Sequence, residues 1–155
     1  MGRPGGDEQA MAGFEFHETM AGGFRLRGDG RDRPMSFTVR ARSFTWASFL
    51  RQPQVEIEGE VDAEGFADHR YLRGTLGMDP LRTRTLPYAF SFAANDGAPH
   101  TFTGTKILHP ARLVESMTVL PGAIYDGAGE RVGEALLRFD VQHDLRRFLQ
   151  SFRLA

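Results

Sequence analysis

Val55-Glu56-Ile57-Glu58-Gly59-Glu60-Val61 alternates without a break, with apolar residues or glycine at odd positions and glutamate at even ones. Successive side chains of a strand point to opposite faces, so this pattern offers one face to a core and one to water. A helix would scatter the same glutamates around its circumference. The stretch reads as a half-buried strand, the kind found in antiparallel sheets.

The period of two recurs on both sides. Upstream, residues 13–26 form the first expected strand. Phe14, Phe16, Glu18 and Met20 share a face, and Gly22-Gly23 reads as a bulge or sharp bend. Residues 28–34 form a polar turn. Residues 37–44 form the second strand, with Phe37, Val39 and Ala41 opposed to Thr38, Arg40 and Arg42. Between it and the 55–61 strand the spacing becomes helical: Trp46, Phe49 and Leu50 share a face, and Pro53 stops the helix.

Downstream, residues 66–78 read as a strand of mixed pattern ended by Asp79-Pro80. Leu86, Tyr88, Phe90 and Phe92 line one face of the next. Asn95-Asp96-Gly97 is a hairpin turn, because Asn and Gly accept left-handed backbone. Residues 101–108 return and close at His109-Pro110. Residues 114–120 and 134–139 are expected strands joined by 121–131. Residues 141–152 are expected to form a C-terminal helix with Leu145, Phe148, Leu149 and Phe152 as its apolar stripe and Asp140 as N-cap.

About eight short strands at regular spacing predict an all-β fold: a single antiparallel barrel, lipocalin-like, with one short helix and a C-terminal helix. Residues 1–12, polar and Gly-rich, are expected to be a disordered lead, and residues 13–155 the β-barrel domain. A strand feeds a helix at 37–50 and again at 135–152, an echo too short to be a repeat.

Composition limits the chemistry. The 155 residues are 41% hydrophobic and 25% charged, ordinary for one globular domain. The net charge of −1 provides no field to attract nucleic acid or an anionic membrane. The absence of cysteine removes disulfides, thiolate metal sites and a cysteine nucleophile. With no apolar leader at residues 1–12 and no run of about 18 apolar residues, a cytoplasmic location is the default.

Among 19 Lys and Arg residues only Lys106 is lysine. It shares a strand face with Phe102, Gly104 and Leu108. Glu18 likewise shares a face with Phe14, Phe16 and Met20. An acid and a base, each on the inner side of a strand, are expected to pair inside the barrel, since an unpaired charge there costs several kcal/mol. Such a pair serves either as a structural salt bridge or as the polar contact of a ligand site.

Other motifs read as structure. Asp126-Gly127-Ala128-Gly129 has the wrong spacing for a dinucleotide fingerprint and too little chain after it, so it reads as a hairpin. His17, His69, His100, His109 and His143 have no metal-ligand spacing, and His17 is expected to face outward. Neither Ser91 nor Ser116 sits in a nucleophile elbow. The arginines form outward stripes away from the aromatics, unlike a single-strand nucleic-acid surface.

With Phe14-x-Phe16-x-Glu18-x-Met20-x-Gly22, Phe49-Leu50, Gly59, Tyr88-x-Phe90, Gly104-x-Lys106 and the terminal 145–152 segment in this order, the chain resembles a small bacterial β-barrel domain. That domain occurs alone, or fused to or encoded near glucose–methanol–choline (GMC) flavin oxidoreductases of the cholesterol-oxidase type. The resemblance implies an accessory role, an oxidoreductase partner and no catalytic residues to carry over. The flavin domain of the fused form has no counterpart in this chain.

Three functions remain open. The first is a non-catalytic barrel that binds an apolar or lipid-like small molecule, with Phe14, Phe16, Tyr88, Phe90 and Phe102 as walls and Glu18 and Lys106 as polar contacts. The second is a filled barrel acting as an interaction domain for an oxidoreductase or hydrolase. The third is an isomerase or cyclase using Glu18 and Lys106, for which no third positioning group is identifiable. No cofactor, metal or nucleic-acid partner is expected.

Overall fold

The structure is a computed structural model and describes residues 13–43, 46–139 and 153–154. The expected lead at 1–12, the expected helix at 141–152 and the cap Asp140 lie outside the described residues.

The strand period carries through most of the described residues. β1 (Phe14–Leu26) and β2 (Arg33–Arg42) are followed by a short helix α1 (Trp46–Arg51). β3 (Gln54–Ala63) and β4 (Ala67–Gly77) come next, then a single helical turn α2 (Pro80–Thr83). β5 (Thr85–Ala93) and β6 (Pro99–Ile107) form the central hairpin. A 3-10 turn at Pro110–Arg112 leads into α3 (Leu113–Met117), β7 (Val119–Asp126), β8 (Arg131–Arg138) and a two-residue β9 (Arg153–Leu154).

The sheet runs β2-β3-β4-β5-β6-β7-β8-β1-β9, and β1 also pairs with β2. Every pairing is antiparallel. The first eight strands therefore close into a barrel, which removes the exposed edges of an open sheet. β1 makes the closure. Its residues Glu15 to Phe24 pair with β2, while Ala21 to Leu26 pair with β8 and Phe14 and Glu15 with β9.

The core follows from the alternation. Val55, Ile57 and Val61 point inward from β3, and Phe37, Val39 and Ala41 from β2, all buried. Phe90 and Phe102 stack at 4.8 Å, and Phe37 meets them at 5.2 and 6.0 Å, so three rings fill the middle of the barrel. Ring pairs of this geometry add about 0.5–1.5 kcal/mol each beyond their burial. The two ends differ. Tight turns join strands at one end, where Phe66 packs against Phe24, Phe92 and His100. The helical connections α1, α2 and α3 all lie at the other end, where β1 begins and β6 finishes.

Four local expectations are corrected. Residues 113–117 are helical, and the seventh strand begins only at Val119 and runs on to Asp126 through Pro121. The ladder with β6 starts at Gly104–Gly122, just after that proline, so its missing N–H breaks no bond there. Residues 121–131 are thus mostly strand, not connection. Gly22-Gly23 makes no bulge, because β1 keeps its register with β2 through both residues. Gly22 is needed for close approach: a Cβ there would lie 2.1 Å from the Leu136 carbonyl oxygen. Finally, Leu50 does not join a buried face of α1; it is 77% exposed. The side chains of Trp46 and Phe49 lie outside what is described.

Candidate functional site

Glu18 is the one acidic residue on the inner row of β1. The flanking Phe16 and Met20 are buried on the same face, which holds the carboxylate inside. Lys106 is the penultimate residue of β6 and points inward by the same alternation. Tyr88 comes from the paired strand, opposite Gly104 in register. Gly104 itself lets the chain pack closely, since a Cβ there would lie 2.8 Å from the Pro121 carbonyl oxygen and 3.0 Å from Leu120 Cδ1.

These three side chains meet. Lys106 Nζ donates to Glu18 Oε2 at 3.3 Å, and their side chains are only 4% and 9% exposed. The Tyr88 hydroxyl donates to Glu18 Oε1 at 2.5 Å. The ammonium also lies 5.1 Å from the centre of the Tyr88 ring, within cation–π range. Each carboxylate oxygen thus has one donor. Lys106 makes this single hydrogen bond among the described residues, leaving two N–H groups for another acceptor.

Burial pushes the Tyr88 phenol well above its usual pKa, and the negative Glu18 beside it adds to the shift. The phenol therefore stays protonated and acts as a donor. Tyr88 was expected only as a wall residue; its hydroxyl is the third polar group that sequence reasoning missed. The signal was present, as the one hydroxyl in the row Leu86-x-Tyr88-x-Phe90-x-Phe92.

The remaining wall candidates divide. Phe90 and Phe102 belong to the ring stack under the cluster, with Phe37 6.0 Å from Tyr88. Phe14 and Phe16 are buried at the start of β1, stacked at 6.4 Å, on the helical end of the barrel. Phe14 is pinned there: its N–H donates to Ser43 Oγ at 2.9 Å, and its carbonyl accepts from Ser43 N at 3.0 Å. All seven candidates are therefore inward-facing residues.

The other motifs fall on the surface. Asp126 Oδ1 accepts from the N–H groups of Ala128 and Glu130, closing the β7–β8 hairpin around the Gly-rich stretch. His17 is exposed, as expected. His69 bonds to Glu60 at 2.7 Å and lies 3.4 Å from Asp62. Among the described residues no group of three or more His, Asp or Glu is placed to hold a metal, and no helix is long and apolar enough to cross a membrane.

No family model, curated protein or solved structure matches the chain.

Proposed function

We propose that this barrel is a non-catalytic binding module for an apolar molecule with a hydrogen-bond-accepting head, such as a carboxylate. One observation carries the reading: a buried ammonium, Lys106, that makes a single 3.3 Å bond, to Glu18, among the described residues. The head is held by Lys106. The apolar part lies along Phe14 and Phe16 at the helical end, with the stacked Phe90 and Phe102 as its floor. Such pockets pair apolar walls with a few orienting polar groups. Tyr88 fixes Glu18, so the carboxylate holds Lys106 in place without itself contacting the ligand.

Catalysis gains no support from this arrangement. Glu18 is engaged by two donors, and Tyr88 is held in its protonated form.

The test is a titration of the full chain with a fluorescent fatty acid such as cis-parinaric acid, alongside the matching alcohol. The acid is expected to bind and the alcohol to bind at least about tenfold more weakly. The variant Glu18→Gln/Lys106→Met removes both charges yet leaves an acceptor for Tyr88. It should keep the fold and lose the preference. Failure of the natural chain to bind either probe overturns the proposal.

That failure would favour the second reading, an accessory domain with a filled barrel that docks on an oxidoreductase or hydrolase. The Phe37–Phe90–Phe102 packing supports it. Association with a GMC-type oxidoreductase belongs to this reading and rests on the motif order described above.

A further inference from the structure

Where β1 and β8 meet, the outer surface of the barrel carries a row without charge. In register across four strands stand Pro121 of β7, Leu136 of β8, Gly23 of β1 and Pro34 of β2. Leu136 is 47% exposed, and Gly23 beside it has no side chain. An open cleft of about 530 Å³ lies over this seam, lined by Gly23, Pro121 and Leu136 among others. Leu136 is the large apolar side chain exposed beside this cleft, with Pro121 and Pro34 in line with it.

We propose that this seam is the interface of a two-fold dimer of this chain. A two-fold axis running parallel to the strands, between β1 and β8, exchanges the two sides of the seam. Each copy's Leu136 then lies over the other copy's Gly23, a knob over a gap, and Pro121 meets Pro34. The charges at the end of the seam obey the same exchange. On the β1 side Arg25 pairs with Asp32 at 2.9 Å; on the β8 side Arg131 pairs with Glu134 at 3.4 Å. All four are about half exposed or more. The axis sets Arg25 against the second copy's Glu134, its register partner across the seam, and brings the Arg25–Asp32 pair of one copy beside the Arg131–Glu134 pair of the other. A self-complementary patch of this kind is what an isologous contact requires. A net charge of −1 sets no long-range repulsion between copies.

The size argues for a weak contact. Four strands at about 4.8 Å spacing and eight residues at about 3.4 Å cover roughly 500 Å². A stable contact buries about 800 Å² per partner. This patch already takes in Arg25 and Glu134 and is still smaller than that, so the dimer is a weak one and weakens further with salt.

Sedimentation velocity of the full chain up to about 200 μM tests this, a range in which a Kd of about 10 μM gives mostly dimer. A dimer weakened by added salt is expected. Leu136→Arg and Gly23→Ala should each raise Kd at least about tenfold. Gly23→Ala is tolerable to the fold, since a Cβ there meets only the Arg33 carbonyl oxygen at 3.3 Å. Thr38→Arg, on β2 away from the seam, should change nothing. The decisive arm is a charge exchange. Arg25→Glu/Asp32→Arg and Arg131→Glu/Glu134→Arg should each be monomeric alone and dimerise when mixed. A natural chain that stays monomeric at about 200 μM, or a mixture that fails to pair, overturns the proposal.

Discussion

Tyr88 and Glu18 lie 70 positions apart in the chain and meet at 2.5 Å inside the barrel, the phenol donating to the carboxylate. Together with Lys106 they tie β5, β6 and β1 across the interior. The cluster therefore couples the closure of the barrel, at β1, to the central hairpin.

Removing Tyr88's hydroxyl isolates that coupling. Tyr88→Phe leaves the ring and its packing but strips a donor from a buried carboxylate. The expected loss is about 1.5–3 kcal/mol, the range for hydrogen bonds to charged groups. Urea unfolding measures it, and a loss under about 0.5 kcal/mol would show that Glu18 does not depend on the phenol.

The same residue sets an alkaline limit. The folded pKa of Tyr88 is raised above its ordinary value of 10.0 by burial and by Glu18. Its contribution to stability is therefore complete below pH 10 and is lost as pH rises from there toward the folded pKa. The slope is at most about 1.4 kcal/mol per pH unit. Absorbance titration of the tyrosinates should show Tyr88 ionising last, coincident with unfolding. Tyr88→Phe should remove that late step.

Lys106 and Glu18 should show a large single-variant cost and a small double-variant cost. Lys106→Met leaves a carboxylate buried without its ion partner, at about 3–5 kcal/mol. Glu18→Gln added to it removes the stranded charge and should recover most of the loss. If the double variant is as unstable as the single one, the cost lies in packing rather than in charge.

How far the sequence revealed this arrangement depends on whether side-chain alternation was the deciding force. At β3 it was: the row Val55, Ile57, Gly59, Val61 has one reading, and the barrel is built on it. At Glu18 and Lys106 it was also decisive, because a charge in an apolar row must find its opposite. It failed at residues 113–117, where alternation and helical spacing fit a five-residue stretch equally well. There the outcome was set by local bonds that no pattern shows. Ser116 Oγ accepts from His109 N–H and donates to the Leu113 carbonyl, rounding the chain into a turn. It failed again at Pro121, read as a break, because the start of a ladder depends on register between strands far apart in sequence. Tyr88 was placed on the correct face, but its role depended on a carboxylate from β1, and strand neighbours are not written in any one segment.

On the outer face, His69 should titrate above the ordinary histidine value of 6.5, held up first by its bond to Glu60 and then by the charges of Asp62 and Glu60. Its favourable contribution is present below pH 6.5 and fades as pH rises through the raised pKa. Proton NMR of the imidazole measures the shift. Glu60→Gln should lower the pKa, and an unchanged value would assign the shift to Asp62 instead.

Gly59 is the glycine on which β2 and β3 converge. A Cβ there would lie 1.9 Å from the Thr38 carbonyl oxygen and 2.9 Å from the Val39 Cα, both backbone atoms of the paired strand. No rotamer change relieves such a contact. Gly59→Ala must push the two strands apart or break the ladder between Thr38 and Glu60. The expected loss is about 1–3 kcal/mol, the usual cost of overpacking, or more if the barrel opens. Gly127→Ala is the comparison, since its Cβ would meet only Pro99, with Cγ at 3.2 Å as the nearest atom. That substitution should cost less than about 1 kcal/mol. Equal costs at the two positions, read from thermal or urea midpoints, would mean that close strand approach at Gly59 does not constrain the barrel.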